Sequence, residues 1–437
     1  MTDIAIGQAL KIVDKTLEPD RLNTVEELVL KECWAGKTYQ EIAVDSGYDS
    51  DYIRVVGSRL WQNLSHAFAE KVTKNNFKSV LRQQARKGQF SFSSLELPEG
   101  QVPLNSSLYI ERPPYEALTY AEIIHPGALI RIKSPLNMGK TSLMIRILAH
   151  ARSQGLKTVT INFQLAEASL LSNFNKFLRW LMANITLQLG IESKLNSYWD
   201  EDLGSKVSCS MYLQGYILEQ LSKPLVLAFD EVNYLFEYPE IAREFLPLLR
   251  FWHEETNNSS IWERLRLIVV HSTDIYLPLD INQSPLNLGF PVNLTQFNFE
   301  QMKELASRHQ FRQSIEDLDK CITLIMEMIG GYPYLARLAF YVLSTENITF
   351  ERLLEEAPTA SGIYRNHLQG HLATLKKYPD LAKAYEQVVF ADKPIQISAI
   401  HAHQLESIGL VKLVNNTVLP SCQLYRFYFR ECLAAEI

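Results

Sequence analysis

Short apolar runs alternate with amphipathic stretches through the middle of the chain, and this alternation predicts its core. The runs at 129–132 (LIRI), 157–163 (KTVTINF), 225–229 (LVLAF) and 265–270 (LRLIVV) are read as strands, with a short fifth at 291–294. Their largely continuous apolar character points to burial on both faces. Between them, helical spacing predicts helices over about 140–153, 169–190, 211–222 and 240–256. The expected fold class is α/β, a largely parallel sheet covered on both sides.

Both flanks of this region are helical. A capped helix starts at Asn23-Thr24, with apolar Val25, Leu28, Val29 and Cys33. Two short helices around a turn containing Gly47 have the outline of a helix-turn-helix. The second starts at Asp49, and Tyr52, Ile53, Val56, Leu60 and Trp61 are expected to form its buried stripe. After it, Lys71, Lys74, Lys78, Arg82 and Arg86 are spaced three, four, four and four apart, which predicts one basic helical face. Beyond residue 297, helices are expected at 299–308 and 315–328, then a Gly330-Gly331-Tyr332-Pro333 break, then a helix at 334–344. Helices at 381–390 and 399–408, followed by two β runs around Asn415-Asn416, describe a winged helix. The expected modules are a small all-α helix-turn-helix domain at 1–90 and a Ser/Pro/Gly linker at 91–107. A nucleotide-binding domain at 108–296, a helical lid at 297–375 and a winged helix at 376–437 follow.

Composition changes this picture little. The 437 residues are 47% hydrophobic and 21% charged, with net charge −6, which excludes a globally basic nucleic-acid binder but not a local basic patch. The five scattered cysteines form no disulfide framework or zinc motif, which fits a reducing cytoplasm. No signal peptide is evident, and no run reaches the roughly 18 apolar residues of a membrane span. The expectation is a cytoplasmic, soluble protein.

The candidate chemistry begins where the first strand ends. Ser134-Pro-Leu-Asn137-Met138-Gly139-Lys140-Thr141-Ser142 joins strand to helix as a phosphate-binding loop does: backbone N–H groups face the phosphate, Lys140 adds charge and Thr141 offers a hydroxyl to Mg²⁺. Ser134 stands where the usual pattern has its first glycine. The strand at 225–229 runs into Asp230-Glu231, an acid pair suited to hold Mg²⁺ water and to polarise an attacking water. A third strand ends His271-Ser272-Thr273, a polar end able to sense a terminal phosphate, or plain turn chemistry. The basic stripe (Lys71, Lys74, Lys78, Arg82), with Arg54 and Arg59, is a candidate contact for DNA or an acidic protein. The alternative is a solvated helix face.

Taken together, these motifs resemble the AAA-like ATPase domains common in cyanobacteria, related to the STAND class of signalling nucleotide switches. The carrying segments are Tyr109-Ile110-Glu111-Arg112-Pro113-Pro114, the loop at 134–143, Leu227-Ala228-Phe229-Asp230-Glu231-Val232, Val269-Val270-His271-Ser272-Thr273, Gly330-Gly331-Tyr332-Pro333 and Leu424-Tyr425-Arg426-Phe427-Tyr428-Phe429. Residues 1–90 resemble the helix-turn-helix of proteins associated with von Willebrand A and MoxR partners, through Trp34-Ala35-Gly36-Lys37-Thr38-Tyr39 and Gly57-Ser58-Arg59-Leu60-Trp61. The resemblance implies ATP or ADP as ligand. It places Lys140 on the β/γ-phosphates, Thr141 and Asp230 at Mg²⁺, Glu231 at the attacking water, and Ile110, Arg112 and Pro113 near adenine. It also places Pro333 facing the phosphates and Ser272 or Thr273 as sensor. Arg264 and Arg266 are weak candidates for an arginine finger.

Three functions remain open at this point: an ATP-binding, slowly hydrolysing regulatory switch, a non-hydrolysing adaptor that recruits a protein partner, and a DNA-bound regulatory ATPase. A homo-oligomer and a separately encoded sensor or effector are compatible with each.

Overall fold

The computed structural model describes residues 9, 10, 13, 17, 22–68, 70–86, 95–272, 285–311, 315–345 and 348–434. The chain divides into two compact units, Met1–Glu96 and Leu97–Ile437. The expected linker at 91–107 therefore spans the division, and 97–107 belong to the larger unit.

In the smaller unit, helices Thr24–Trp34, Tyr39–Ser46, Ser50–Ala67 and Phe77–Arg86 enclose a core that includes Val29, Ile42, Ile53, Leu60 and Leu81. Local chemistry sets the helix starts. Asn23 with Glu26, and Thr38 with Glu41, form reciprocal capping boxes, and Asp49 caps the third helix. Gly47 closes the turn at φ 73°. The absence of a side chain at Gly57 admits the Tyr39 ring, whose hydroxyl accepts the Trp61 indole N–H at 2.7 Å. Two expectations are corrected here. Tyr52 is exposed, and the stripe is completed instead by Gly57 and Leu64. The last helix begins only at Phe77, so Lys71 and Lys74 precede it and share no helical face with Lys78 and Arg82.

The larger unit is built on five parallel strands: β1 (Leu129–Ser134), β2 (Lys157–Asn162), β3 (Leu225–Asp230), β4 (Leu265–Ser272) and β5 (Phe290–Asn293). They form one sheet in the order β2-β3-β4-β1-β5. Every residue of β3 and β4 is buried, as central strands covered on both faces require. One face packs Phe163, Phe177, Phe229 and Phe245 ring against ring; the other packs Ile130 and Ile132 against Leu143 and Ile147. The helix expected over 169–190 is two, Ala168–Leu171 and Phe174–Leu189, the second capped by Asn173. The helix expected over 211–222 is the end of a longer one: Gly204–Tyr212 continues as a π-helical turn, Leu213–Leu218.

Beyond the sheet, the helices from Phe299–Arg308 to Gln423–Ala434 and the hairpin β6 (Val411–Val414) and β7 (Thr417–Pro420) share one continuous core. Phe340, Leu375, Tyr385, Tyr425 and Phe429 all belong to it. Ile110 and Met138 are part of the same core, so the phosphate-loop region is wedged into the C-terminal modules.

Candidate functional site

The loop between β1 and helix Lys140–Ser153 places its unusual residues without backbone conflict. Ser134 is the last residue of β1, paired in register with Ser272 of β4, and is not among the left-handed residues. The left-handed positions fall on Asn137 (φ 62°) and Gly139 (φ 84°), residue types that tolerate them. The guanidinium of Arg112 packs close to Gly139, where a Cβ would stand 3.2 Å from one of its nitrogens. The ammonium of Lys140 donates to the carbonyls of Ser134 (3.0 Å) and Pro135 (2.9 Å). Arg112 is buried, and burial lowers its pKa. Its guanidinium donates to the Met138 carbonyl at 2.7 Å, and its Nε has no partner among the described residues.

The acids arrive from β3. The Thr141 hydroxyl donates to the Asp230 carboxylate at 3.1 Å, and Asp230 in turn accepts the Glu231 N–H at 3.0 Å. Burial, then the neighbouring Glu231 charge, raises the Asp230 pKa, while Thr141, that N–H and Lys140 oppose the rise. Glu231 itself sits left-handed at φ 54°, a costly conformation for a side chain of its type and a common one at reactive sites.

These groups open on a cavity of about 520 Å³, lined among others by Ile110, Arg112, Asn137, Gly139, Lys140, Thr141, Ser142, Asp230, Glu231 and Pro333. Sequence reading named all ten. Pro113, Ser134, Met138 and Ser272 do not line it: Met138 and Ser134 support the loop from beneath, and the buried Ser272 hydroxyl finds no partner among the described residues. Thr273 lies outside the described residues. Arg264 and Arg266 donate to backbone carbonyls of their own unit, Arg264 to that of Leu221 and Arg266 to those of Glu263, Arg264 and Ile124, and neither lines the cavity.

Sequence reading missed a strap and an arginine of the helix Pro333–Thr345. Residues 97–109 lie across the loop helix: the Val102 N–H donates to the Ser142 hydroxyl (2.9 Å), and Arg146 donates to the carbonyls of Val102 (3.0 Å) and Pro103 (2.8 Å). Gly100 and Gln101 thereby reach the cavity, together with Arg337 from helix Pro333–Thr345, which also holds the Leu97 carbonyl at 3.4 Å. The Ser/Pro/Gly composition of the strap reads as a linker because nothing in its sequence announces these partners. Arg337, four residues after Pro333, was a findable signal: one turn places both on one face.

Among the described residues no helix is long and apolar enough to cross a membrane. All five cysteines are free thiols.

Residues 97–431 match the AAA-like domain, and residues 4–84 match the N-terminal helix-turn-helix of vWA-MoxR associated proteins. No curated protein matches the chain in sequence. The Walker-type ATPase of Pyrococcus abyssi is similar in structure, with a TM-score of 0.53 at 16% identity over 76% of this chain and 100% of that one. The ORC2 protein of Aeropyrum pernix, solved as ADPNP–ADP complexes, gives 0.41 at 18% identity over 76% and 98%. Domain III of the replication initiation protein DnaA from Thermotoga maritima gives 0.35 at 15% over 57% and 95%. The first likeness supports the fold and nothing finer.

Proposed function

The chain belongs to the AAA-like domain family, and we propose that it is an ATP-binding, slowly hydrolysing regulatory switch of the STAND type, which couples nucleotide state to its helix-turn-helix unit. The observation that carries this reading is the meeting of Thr141 and Asp230 at the mouth of a cavity that also holds Lys140, Arg112 and Glu231.

The residues have distinct tasks in this reading. Lys140 and the N–H groups that open its helix bind the phosphates, and Arg112 braces the loop through Met138. A hydroxyl and a carboxylate oxygen 3.1 Å apart are hard donors of the kind Mg²⁺ accepts, so Thr141 and Asp230 would hold it. Bound there, Mg²⁺ would neutralise phosphate charge. Glu231 takes the proton of a water whose oxygen bonds to the γ-phosphorus as the β–γ bridging bond breaks, yielding ADP and inorganic phosphate. Arg337 reaches the same cavity from the lid, which supports a lid that responds to phosphate.

For the smaller unit we favour a protein partner over DNA. The helix Ser50–Ala67 exposes Tyr52 and Val55, its Arg54 is paired with Asp51, and Lys74 and Lys78 lean over the rings of Tyr39 and Trp34.

A second reading, the non-hydrolysing adaptor, is favoured by one observation. Gly409 lies so near Pro135 that a Cβ there would stand 3.0 Å from it, so the C-terminal module packs on the loop. Two measurements on the full chain decide. ATP affinity should fall in Lys140→Ala, and phosphate release should fall in Glu231→Gln. Affinity unchanged in Lys140→Ala removes the nucleotide site; affinity that falls in Lys140→Ala, with identical release from wild type and Glu231→Gln, selects the adaptor.

A further inference from the structure

We propose that Asn233 is a positioning residue for Glu231, one that ties the candidate general base to the end of β4. Asn233 lies two residues past Glu231, in the 3₁₀ turn Val232–Glu237. Its Oδ1 accepts the Ser272 N–H at 2.9 Å, and its Nδ2 donates to Glu231 Oε2 at 3.3 Å. The orientation of the amide follows from chemistry. A backbone N–H only donates, so the atom facing Ser272 must be the oxygen, which leaves the NH₂ for the carboxylate.

Glu231 is thereby held at two points. Its N–H is bound by Asp230 and its carboxylate by Asn233, and between them the residue keeps φ 54°. One carboxylate oxygen is occupied and the other is left for water. A base fixed in this way spends no rotamer freedom on reaching its reactive position. The nearest competitor for the role is Asn162 at the end of β2, which pairs in register with Asp230 and lines the cavity. Its side-chain oxygen accepts the Gln164 N–H at 2.9 Å, and among the described residues the amide that donates to the Glu231 carboxylate is that of Asn233, not of Asn162. The tie through Asn233 also makes Glu231 sensitive to β4, whose last residue, Ser272, neighbours Ser134 of the phosphate loop.

The assignment rests on the hydrolytic reading of Glu231. It is tested on the full chain by single-turnover phosphate release with radiolabelled ATP and by ATP affinity, for wild type, Asn233→Ala, Asn233→Asp, Glu231→Gln and the Glu231→Gln/Asn233→Ala double variant. Asn233→Asp keeps an acceptor for Ser272 and replaces the donor to Glu231 by a like charge, so it separates loss of the tie from loss of the fold. Both single Asn233 variants are expected to slow release about tenfold or more while ATP affinity stays within about twofold. In the Glu231→Gln background, Asn233→Ala is expected to add no further loss, since it acts through Glu231. Wild-type release in both Asn233 variants, or an equal loss in the Glu231→Gln background, overturns the assignment alone. Identical release from wild type and Glu231→Gln overturns the hydrolytic reading and this assignment with it.

Discussion

The Thr141 hydroxyl donates to the Asp230 carboxylate across 3.1 Å, although the two residues stand 89 positions apart in the chain. β1 and β3 are not neighbours in the sheet; β4 lies between them. The contact is made because the loop helix starts above the sheet's carboxyl edge, where the ends of all the parallel strands converge.

The raised Asp230 pKa has a sign that can be measured. Burial favours the neutral acid, while Mg²⁺ in the proposed site needs the carboxylate, so proton and cation compete for Asp230. Mg²⁺-dependent ATP affinity should weaken as pH falls toward the raised pKa. Asp230→Asn should weaken Mg²⁺-dependent affinity and flatten that pH dependence, as read by calorimetry across pH.

In the proposed nucleotide site, Lys140→Ala removes a charge-assisted donor to phosphate, an interaction of about 1.5–3 kcal/mol. A fluorescent ATP analogue should therefore bind about tenfold to a hundredfold more weakly.

His271 and His371 are buried, and burial lowers each pKa from 6.5 to about 4. Folded, both stay neutral where the unfolded chain takes up protons. Their share of stability is complete above pH 6.5 and is lost as pH falls from there toward 4, by about 1.4 kcal/mol per pH unit for each. Denaturant unfolding across this window should show the slope, and His371→Gln should lessen it.

Gly331 has no room for a side chain. Its carbonyl accepts the Phe297 N–H at 2.7 Å, and a Cβ would strike the Phe297 carbonyl oxygen and stand 2.8 Å from its nitrogen. Gly331→Ala should destabilise by about 1–3 kcal/mol, as overpacking does. Because Phe297 lines the cavity, ATP affinity should fall as well.

Changing Lys71, Lys74 and Lys78 together to alanine tests the choice of partner. Fluorescence anisotropy with duplex DNA should show weak binding whose salt dependence the triple change leaves alone. A steep slope that shrinks by about one per lysine would reassign the smaller unit to DNA.

Much of the site was legible because its chemistry is local. Gly139-Lys140-Thr141 at a strand-to-helix turn and Asp230-Glu231 at a strand end are short segments whose neighbours announce their geometry. The strap was not legible: Val102 is an ordinary valine until its N–H meets Ser142, and the carbonyls that Arg146 and Arg337 hold carry no side-chain signature. The expected basic stripe failed for a related reason. Spacing places residues on one face only where a helix exists, and the helix begins at Phe77, after two of the lysines.

The amino-acid order alone determined which residues are chemically able to bind phosphate and Mg²⁺, and the apolar runs that become the sheet, because those properties belong to side chains and to spacing within a few residues. Tertiary structure alone decided that Ser134 is strand rather than a left-handed turn, that Arg112 lies beneath the loop, and that Asn233 joins Glu231 to Ser272. Each of these depends on groups brought together by sheet order and helix packing, which pair residues across distances that local pattern does not reach.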